Sequence, residues 1–383
     1  MLTLQPLIDQ VKTAAASGTS LRIRGGGSKD FYGQTLEGQT LDTYAFTGII
    51  SYERSELVVT ARAGTPLSEL EASLADQGQC LPFEPPHYQI REIGEIGAEK
   101  TVATVGGMVA AGLSGPARAT AGGVRDYMLG VQILNGRAEL LTFGGQVMKN
   151  VAGYDVSRLM AGSMGTLGVI TEVSLKVLPV PPAEATLRFH LDEATALRKL
   201  NEWAGQPLPL NASSWRVDAG QPTLYLRLRG AVAAVDAAIA RLLKEVQGER
   251  VDSPQTSDNW GAARDLRLPW FKDGFTRGDD LWRLSVPQTT EPLNVGATMI
   301  DWLGGQRWAW APAGDVVSAQ KLREAANAAG GNATLFVAAP TDSKQTIAVF
   351  DPLKPPLDVI HQRLKAEFDP AGIFGRNRLF SAA

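Results

Sequence analysis

The chain has 383 residues, of which 44% are hydrophobic and 20% charged, and its formal net charge at pH 7 is −3. This composition is typical of a globular protein with room for two domains, and the near-neutral charge argues against nucleic acid or an anionic membrane as a partner. Cys80 is the single cysteine, which excludes an intrachain disulfide or an iron–sulfur site. No signal-like start and no run of about 18 apolar residues is present, so we expect a cytoplasmic protein.

The first part of the chain predicts short strands and one helix with clear start signals. "LRIRG" (21–25) and "ELVVTARAG" (56–64) have the composition of strands that end in turns. "TPLSELEASLADQG" (65–78) predicts a helix with Thr65 as its N-cap and Pro66 at its first position. Two further strands are predicted in "DYMLGVQILN" (126–135) and "TLGVITEVSLKVLP" (166–179).

A proline cluster divides the chain into two compositional regions. "LPVPPAE" (178–184) continues neither a helix nor a central strand. The chain before this cluster contains no tryptophan, and all eight tryptophans fall between residues 203 and 310. We therefore predict a domain boundary near residue 182.

After the prolines, the patterns follow the order strand, helix, strand, strand, helix. These elements are predicted in "ATLRFHL" (185–191), "DEATALRKLNEWAG" (192–205), "SSWRVD" (213–218), "PTLYLRLRG" (222–230) and "AVAAVDAAIARLLKEVQG" (231–248). This order fits a ferredoxin-like α+β unit. A second, weaker round follows in "LWRLSVP" (281–287), "QRWAWAP" (306–312), "VSAQKLREAANAAGG" (317–331) and "ATLFVAAP" (333–340). We predict a sheet with helices on one face.

The triplet of glycines at 25–27 is a candidate anion-binding loop. Consecutive glycines let main-chain N–H groups converge on an anion, and Arg22, Arg24 or Lys29 can add positive charge. The triplet fits neither the G-x-G-x-x-G dinucleotide pattern nor the P-loop. Taken alone, it fits a tight turn between strands equally well.

Two more segments rich in small residues, 101–123 and 150–171, strengthen the interpretation of the triplet as a ligand-binding loop. Three such segments beside strands favour an elongated ligand that lies close to the main chain. Close packing of strands against helices remains the alternative.

In this order, the segments resemble the PCMH-type FAD-binding family, which includes vanillyl-alcohol oxidase and D-lactate dehydrogenase. The resemblance rests on "RGGGS" (24–28), "AGTPLSELEASLADQGQCLPFEPP" (63–86), "TVGGMVAAGLSGP" (104–116), "RDYMLGVQIL" (125–134), "KNVAGYDVSRLMAGSMGTLGVIT" (149–171) and "LKAEFDPAGIFGRNRLF" (364–380). It implies an α+β protein with a two-subdomain FAD-binding domain over residues 1–182. It also implies a ferredoxin-like α+β cap over 183–340 and a segment, 341–383, that returns to the FAD domain.

The resemblance also implies which residues bind FAD. The pyrophosphate is expected at Arg24, Gly25, Gly26, Gly27 and Ser28. The adenosine and pyrophosphate are expected beside Thr104, Val105, Gly106, Gly107, Gly112, Ser114 and Gly115. Main-chain contacts are expected from Gly165, Gly168, Val169 and Ile170. Covalent members attach FAD through histidine or tyrosine; Ser28 stands at that position here, which implies non-covalent FAD, and no metal is expected.

Within the family, the chain is most similar to FAD-binding subunits of glycolate oxidases. Stand-alone hydroxy-acid dehydrogenases carry clustered histidines in the cap, whereas this chain has only His87, His190 and His361. The resemblance thus implies a subunit of a complex that oxidises glycolate to glyoxylate. Its partners would be a sister FAD subunit with the histidine cluster and an iron–sulfur subunit, and only this complex would bring it peripherally to the inner membrane.

A stand-alone FAD-dependent D-2-hydroxy-acid (D-lactate-type) dehydrogenase remains the alternative. Oxidation of a 2-hydroxy acid needs a base, for which His190 and His361 are weak candidates, and a cation for the carboxylate. The candidate cations are Arg216, Arg227, Arg229, Arg283 and Arg307. The alternation in "LYLRLRG" favours solvent-facing positions for Arg227 and Arg229. Trp302, Trp308 and Trp310 are expected either beside the flavin or in a core or interface.

Overall fold

The computed structural model describes residues 3–35, 37–88, 101–145, 155–251, 255–296, 298–340 and 347–379. The first residues of the third small-residue segment, 150–154, lie outside this range. So do residues 341–346 and 380–383 of the C-terminal segment.

The described residues form helices and strands along the whole chain. The helices are α1 Gln5–Ser17, α2 Leu67–Ala75, α3 Val105–Ala111, α4 Arg118–Ala121, α5 Val124–Tyr127, α6 Val156–Leu159, α7 Glu193–Ala204, α8 Val232–Glu245, α9 Gln255–Arg264, α10 Pro269–Arg277, α11 Val316–Ala328 and α12 Leu357–Phe368, with a 3-10 turn at Trp302–Gly304. The strands are β1 Leu21–Arg24, β2 Gln39–Asp42, β3 Ile49–Glu53, β4 Val58–Arg62, β5 Gln79–Cys80, β6 Met128–Leu134, β7 Leu140–Gly144, β8 Val169–Lys176, β9 Leu178–Pro179, β10 Ala183–Phe189, β11 Leu210–Asp218, β12 Gln221–Gly230, β13 Gly248–Val251, β14 Asp280–Ser285, β15 Thr298–Asp301, β16 Gln306–Ala311 and β17 Asn332–Val337.

A small antiparallel sheet, with the strand order β3-β4-β8-β6-β7 within the described residues, carries the first core. Helix α2 contributes Leu67, Leu70 and Leu74 to this core, and all three are completely buried. A parallel pair, β1 and β2, lies beside it. The strands predicted at 21–25, 56–64, 126–135 and 166–179 are confirmed.

The predicted start of helix α2 is wrong by one or two residues. The helix begins at Leu67, and Thr65 does not cap it, because its hydroxyl accepts a hydrogen bond from the Gly48 N–H at 2.9 Å. Pro66 has extended backbone angles and forms an isolated bridge with Thr104. This bridge keeps the chain extended up to the helix.

The large sheet is one continuous sheet that consists of two ferredoxin-like halves. Its described strands have the order β13-β10-β12-β11-β15-β16-β14-β17. The first four strands have the order expected for β-α-β-β-α-β topology, and the second four mirror it. The halves join where Ser214 and Trp215 of β11 pair with Asp301 and Ile300 of β15. Both predicted rounds are therefore present.

Helices cover both faces of the large sheet, which corrects the predicted single covered face. Along β14, Trp282 and Leu284 pack with helix α11, whereas Leu281 points to the opposite face. There Leu281 packs with Phe271 of α10. Tyr32 and other residues from the first part of the chain lie in the same cluster, so this face of the sheet lies against the first 120 residues.

The C-terminal residues return to the N-terminal part of the fold. Phe374 forms a parallel bridge with Leu21, and the Leu21 N–H donates to the Ile373 carbonyl at 2.7 Å. On α12, Leu364 and Phe368 pack against the core of the small sheet. The chain changes from the small to the large sheet between β9 and β10, at the proline cluster. The boundaries at 182 and 340 stay predictions.

Among the helices that the structure describes, none has both the length and the apolar character needed to cross a lipid bilayer.

Candidate cofactor site

A cleft runs along the glycine triplet, helix α3 and the start of β8. The empty space within it, with the solvent at its mouth included, is about 770 Å³. The predicted site residues that line it are Arg24, Gly25, Gly26, Gly27, Ser28, Thr104, Gly106, Gly107, Gly165, Gly168 and Ile170. Lys29, which the sequence suggested as a source of positive charge for the loop, lines the cleft as well. The remaining lining residues were not expected from the sequence; they are Ile23, Asp30, Thr43, Ala63, Val102, Ala110, Ala111, Met164 and Arg378.

The loop 25–29 presents unpaired main-chain donors to this cleft. Among the hydrogen bonds between described residues, none is donated by the N–H groups of Gly25, Gly26 or Gly27, whereas the parallel bridge of Gly27 with Val102 directs the Ser28 N–H to the Val102 carbonyl. The loop is held from behind, since the Val102 N–H donates to the Gly26 carbonyl at 2.8 Å. Gly27 has φ of +75°, which turns the chain there. Because N–H groups in protein interiors are almost always paired, this loop is suited to bind an anion.

The start of helix α3 forms part of the cleft wall, but its first main-chain N–H groups are already hydrogen-bonded within the protein. The N–H groups of Val105 and Gly106 donate to the carbonyls of Thr65 and Ala63 at 2.9 and 2.8 Å. The Gly107 N–H donates to the Thr104 hydroxyl at 3.2 Å. A Cβ on Gly106 would lie 2.6 Å from the Ala63 Cβ, so glycine is required here by packing between the helix and β4.

Five predicted site residues do not line the cleft. They are Val105, Gly112, Ser114, Gly115 and Val169. The side chains of Val105 and Val169 are completely buried in hydrophobic cores. Gly115 lies at the contact with the large sheet, where its carbonyl accepts a hydrogen bond from Trp302 Nε1 at 3.0 Å. Gly115 therefore serves the contact between the two parts of the fold, whereas Gly112 allows close packing against Gly162.

Arg378 is the lining residue that sequence reasoning missed most clearly. Its guanidinium is buried and donates to the carbonyls of Tyr32 and Gln34, and at 3.4 Å to those of Lys29 and Asp30. Burial lowers the pKa of Arg378 to about 10, while Asp30 and Tyr32 oppose this shift. The only signal was the basic "GRNRLF" ending, which does not reveal a contact across the whole chain.

The positive charges of the loop differ in their pairing. Arg24 forms an ion pair with Asp30, with Nε and Oδ2 2.7 Å apart. The ammonium of Lys29 donates to Ser28 Oγ at 3.1 Å and lies 5.7 Å from the ring centroid of Tyr88. Burial lowers the pKa of Lys29 to about 8, and Asp265 opposes this shift.

The prediction that Arg227 and Arg229 face solvent is wrong. Arg227 is 4% exposed and donates to both Glu84 carboxylate oxygens at 2.7 Å. Arg229 lies 3.0 Å from Glu184 and 3.4 Å from Glu84. The loop that carries Glu84 covers this face of the large sheet, so both faces of β12 are enclosed.

The histidines and the three candidate tryptophans lie outside the cleft lining. His190 is exposed and contacts the Thr223 hydroxyl at 3.3 Å, and His361 is exposed on α12. His87 pairs with Glu71 at 2.7 Å. Trp302, Trp308 and Trp310 pack at the face of the large sheet and its contacts. Among the described residues, no group of three or more His, Cys, Asp or Glu side chains could hold a metal ion.

Comparisons with known proteins identify a matching domain family, related proteins and a shared fold. Residues 3–144 match the family model described as an FAD binding domain. Glycolate oxidase subunit GlcE of Escherichia coli K12 is 42% identical over 98% of this chain and 97% of its own length. D-lactate dehydrogenase of Anaerostipes hadrus is 34% identical, but the match covers 36% of this chain and 26% of that protein. A solved alkyldihydroxyacetonephosphate synthase shares the fold, with a TM-score of 0.66 over 96% of this chain and 74% of its own at 16% identity.

Proposed function

The chain belongs to the PCMH-type family of FAD-binding oxidoreductases that includes glycolate oxidase subunit GlcE, and we propose that it is the FAD-binding subunit of a multi-subunit enzyme that oxidises glycolate to glyoxylate. The observation that carries this proposal is the identity of 42% with GlcE, which extends over 98% of this chain and 97% of the relative. The cap region is included in that match, whereas the match to D-lactate dehydrogenase covers 36% of this chain.

FAD is the cofactor, and the residues of the cleft fit it. The pyrophosphate would be held by the unpaired N–H groups of Gly25 to Gly27, with the Ser28 side chain beside them, where the glycines leave the main chain accessible. Thr104, Gly106, Gly107, Gly165, Gly168 and Ile170 would form the walls. We propose non-covalent binding, since Ser28 stands at the position of the family's tether. Bound FAD supplies a hydride acceptor for oxidation of an alcohol.

The same proposal assigns roles to the three parts of the chain. Residues 1–182 bind FAD, residues 183–340 form the cap, and residues 341–383 complete the FAD domain. The contacts of Arg378 with the segment after the glycine loop support the last assignment. The contact between Trp302 and Gly115 supports a cap that lies against the FAD domain.

We further propose that the chain works with two partners. A sister FAD subunit would carry a histidine cluster, because His87, His190 and His361 lie outside the cleft lining of the described residues. An iron–sulfur subunit would take the electrons onward, because a chain with a single cysteine cannot ligate such a cluster through thiolates. Through this complex the chain would work in the cytoplasm, peripherally attached to the inner membrane.

The alternative is a stand-alone D-2-hydroxy-acid dehydrogenase. It is favoured by the relationship to D-lactate dehydrogenase and by Arg283, which has no carboxylate partner within 4 Å among the described residues. Anaerobic stopped-flow of the lone, FAD-loaded chain with excess glycolate separates the two functions. The subunit function predicts that flavin reduction is at least about a hundredfold slower than turnover of the co-expressed complex, as expected when a general base is missing.

The complementary measurement uses variants in the complex. His190→Ala and His361→Ala should lower turnover far less than substitution of histidines in the sister subunit. Rapid bleaching of the flavin in the lone chain, at the rate of the complex, would instead support the stand-alone dehydrogenase. His190 and His361 would then be the first candidate bases to test.

A further inference from the structure

A second cavity separates the FAD-binding part of the chain from one half of the large sheet. The empty space within it, with the solvent at its mouth included, is about 1170 Å³. Among the described residues that line this cavity, Glu84 alone comes from the FAD-binding part, whereas the others belong to β10, β12, α9 and the turn after α9. Most of the lining side chains are charged, so the two parts are not held together here by apolar packing.

The carboxylate of Glu84 connects the two parts across this cavity. Nη2 of Arg227 donates to both of its oxygens at 2.7 Å, and Nη1 of Arg229 donates to one of them at 3.4 Å. Within the FAD-binding part, the same carboxylate accepts a hydrogen bond from the Ala117 N–H at 3.1 Å. The side chains of Arg227 and Glu84 are only 5% and 16% exposed, so this ion pair is stronger than one on the open surface.

The turn that carries Glu84 is fixed to the segment 115–117. Glu84 has φ of +48°, a backbone conformation that residues other than glycine adopt rarely. The Gly115 N–H donates to the Phe83 carbonyl at 3.0 Å, and a Cβ on Gly115 would lie 2.3 Å from the Glu84 carbonyl oxygen. Residues 83–84 and 115–117 therefore form one closely packed unit, which we call the junction.

The junction is connected to the FAD cleft by two short stretches of chain. Helix α3, whose residues Ala110 and Ala111 line the cleft, ends immediately before the segment 112–117. From Glu84, the chain runs on to Tyr88, whose ring centroid lies 5.7 Å from the ammonium of Lys29. Lys29 lines the cleft as well. A displacement of the junction would therefore act on two sides of the cleft.

A second contact from the large sheet reaches the same junction. Nε1 of Trp302, in the 3-10 turn after β15, donates to the Gly115 carbonyl at 3.0 Å. Nearby in the chain, Leu113 packs in one hydrophobic cluster with Phe271 of α10 and Phe336 of β17. The large sheet thus holds the junction and the residues before it from more than one direction.

We propose that Glu84 is a positioning residue for FAD, because its ion pair with Arg227 and Arg229 transmits the position of the large sheet through the junction to the wall of the cofactor cleft. Glu84 does not line the cleft itself, so its effect on FAD is indirect. With the pair intact, helix α3 and the segment up to Tyr88 are held in the arrangement that retains FAD, and loss of the pair lets FAD leave faster. This inference goes beyond the proposed function, because it concerns the hold on the cofactor and is independent of the substrate.

The rate at which FAD dissociates from the full-length, FAD-loaded protein tests this role. The rate is measured from the recovery of free flavin fluorescence after dilution. Glu84→Gln keeps the size of the side chain but removes its charge, and Arg227→Met removes the other half of the pair. Each variant should release FAD at least about tenfold faster than the wild type, as expected for the loss of a hydrogen bond between charged groups. The double variant should release FAD no faster than the faster single variant, because both substitutions remove the same interaction.

Glu184→Gln is the matched control. Glu184 lines the same cavity and pairs with Arg229 at 3.0 Å, but both of these residues belong to the large sheet. This variant should release FAD at the wild-type rate. Trp302→Phe is a milder test of the junction, because it removes the hydrogen bond to Gly115 and keeps an aromatic ring. It should also release FAD faster than the wild type.

Melting temperatures of the apoproteins separate this role from a purely structural one. A Glu84→Gln variant that melts earlier but releases FAD at the wild-type rate would overturn the inference, because the pair would then only stabilise the fold. Equally fast release from Glu184→Gln, or single-variant effects that multiply in the double variant, would also overturn it. If Glu84→Gln does not fold, Arg227→Lys and Trp302→Phe replace it. Faster release from both would then support the inference, and the wild-type rate in both would overturn it.

Discussion

The side chain of Arg378 donates a hydrogen bond to the main-chain carbonyl of Tyr32, so the end of the chain fixes the segment that follows the glycine loop. Further donations to the carbonyls of Lys29 and Asp30 at 3.4 Å make this one buried contact. Buried acceptors left unpaired cost about 1–3 kcal/mol each. The position of Lys29, and with it the inner end of the cleft, therefore depends on Arg378.

We predict that Arg378→Met weakens FAD binding by about tenfold or more, because about 1.4 kcal/mol of lost stabilisation already gives this factor. Fluorescence titration of the apoprotein with FAD measures the effect. Arg376→Met is the control, since Arg376 is exposed and donates to the carbonyls of Gly372 and Gly18. Equal FAD affinity in Arg378→Met and the wild type would mean that the cofactor does not depend on this segment.

Gly26→Val should give a protein without bound FAD and with a lower melting temperature. A Cβ at this position would lie 2.0 Å from the Val102 carbonyl oxygen, so the loop would be pushed away from the segment around Val102 that holds it. Flavin absorbance per protein and a thermal melt are the measurements. Gly205→Ala is the control, because a Cβ there meets no atom closer than 3.7 Å. A normal flavin content in Gly26→Val would locate the phosphate site elsewhere.

FAD should leave the protein on acid or heat precipitation and appear in the supernatant. Ser28 stands at the tether position, is 7% exposed and accepts a hydrogen bond from Lys29 at 3.1 Å. A serine hydroxyl at this position offers neither the imidazole nor the phenol with which covalent family members attach FAD. Yellow flavin that remains in the pellet after protein denaturation would contradict this prediction.

Local patterns predicted most of the strands and helices, and long-range contacts explain the errors. The glycine triplet and the strands around it could be predicted because turn residues and β-branched runs act over a few positions. Thr65 was assigned to a helix cap by the same rules. It instead bonds Gly48, a partner 17 residues away that no local pattern reveals.

The candidate site could be predicted only in part, for the same physical reason. The glycines of the cleft follow from the family resemblance. Arg378, in contrast, lines the cleft through a contact with Tyr32, from which it is separated by 346 residues along the chain. Arg227 occupies a position in an alternating strand pattern that is typical of a solvent-facing residue. In the structure it is covered by Glu84, which comes from another part of the chain. The distinction between Arg283 and the paired arginines depends on which acids fold next to each of them.

The pairing of Leu21 with Phe374 and the contacts of Arg378 have a consequence for biosynthesis. The glycine loop leaves the ribosome long before Phe374 and Arg378 do. A nascent chain that has not yet reached these residues contains the loop but lacks the contacts that complete its surroundings. Such a chain cannot form the cleft of the complete fold, and a product truncated before Phe374 would lack the support of Arg378 although every residue of the loop is present.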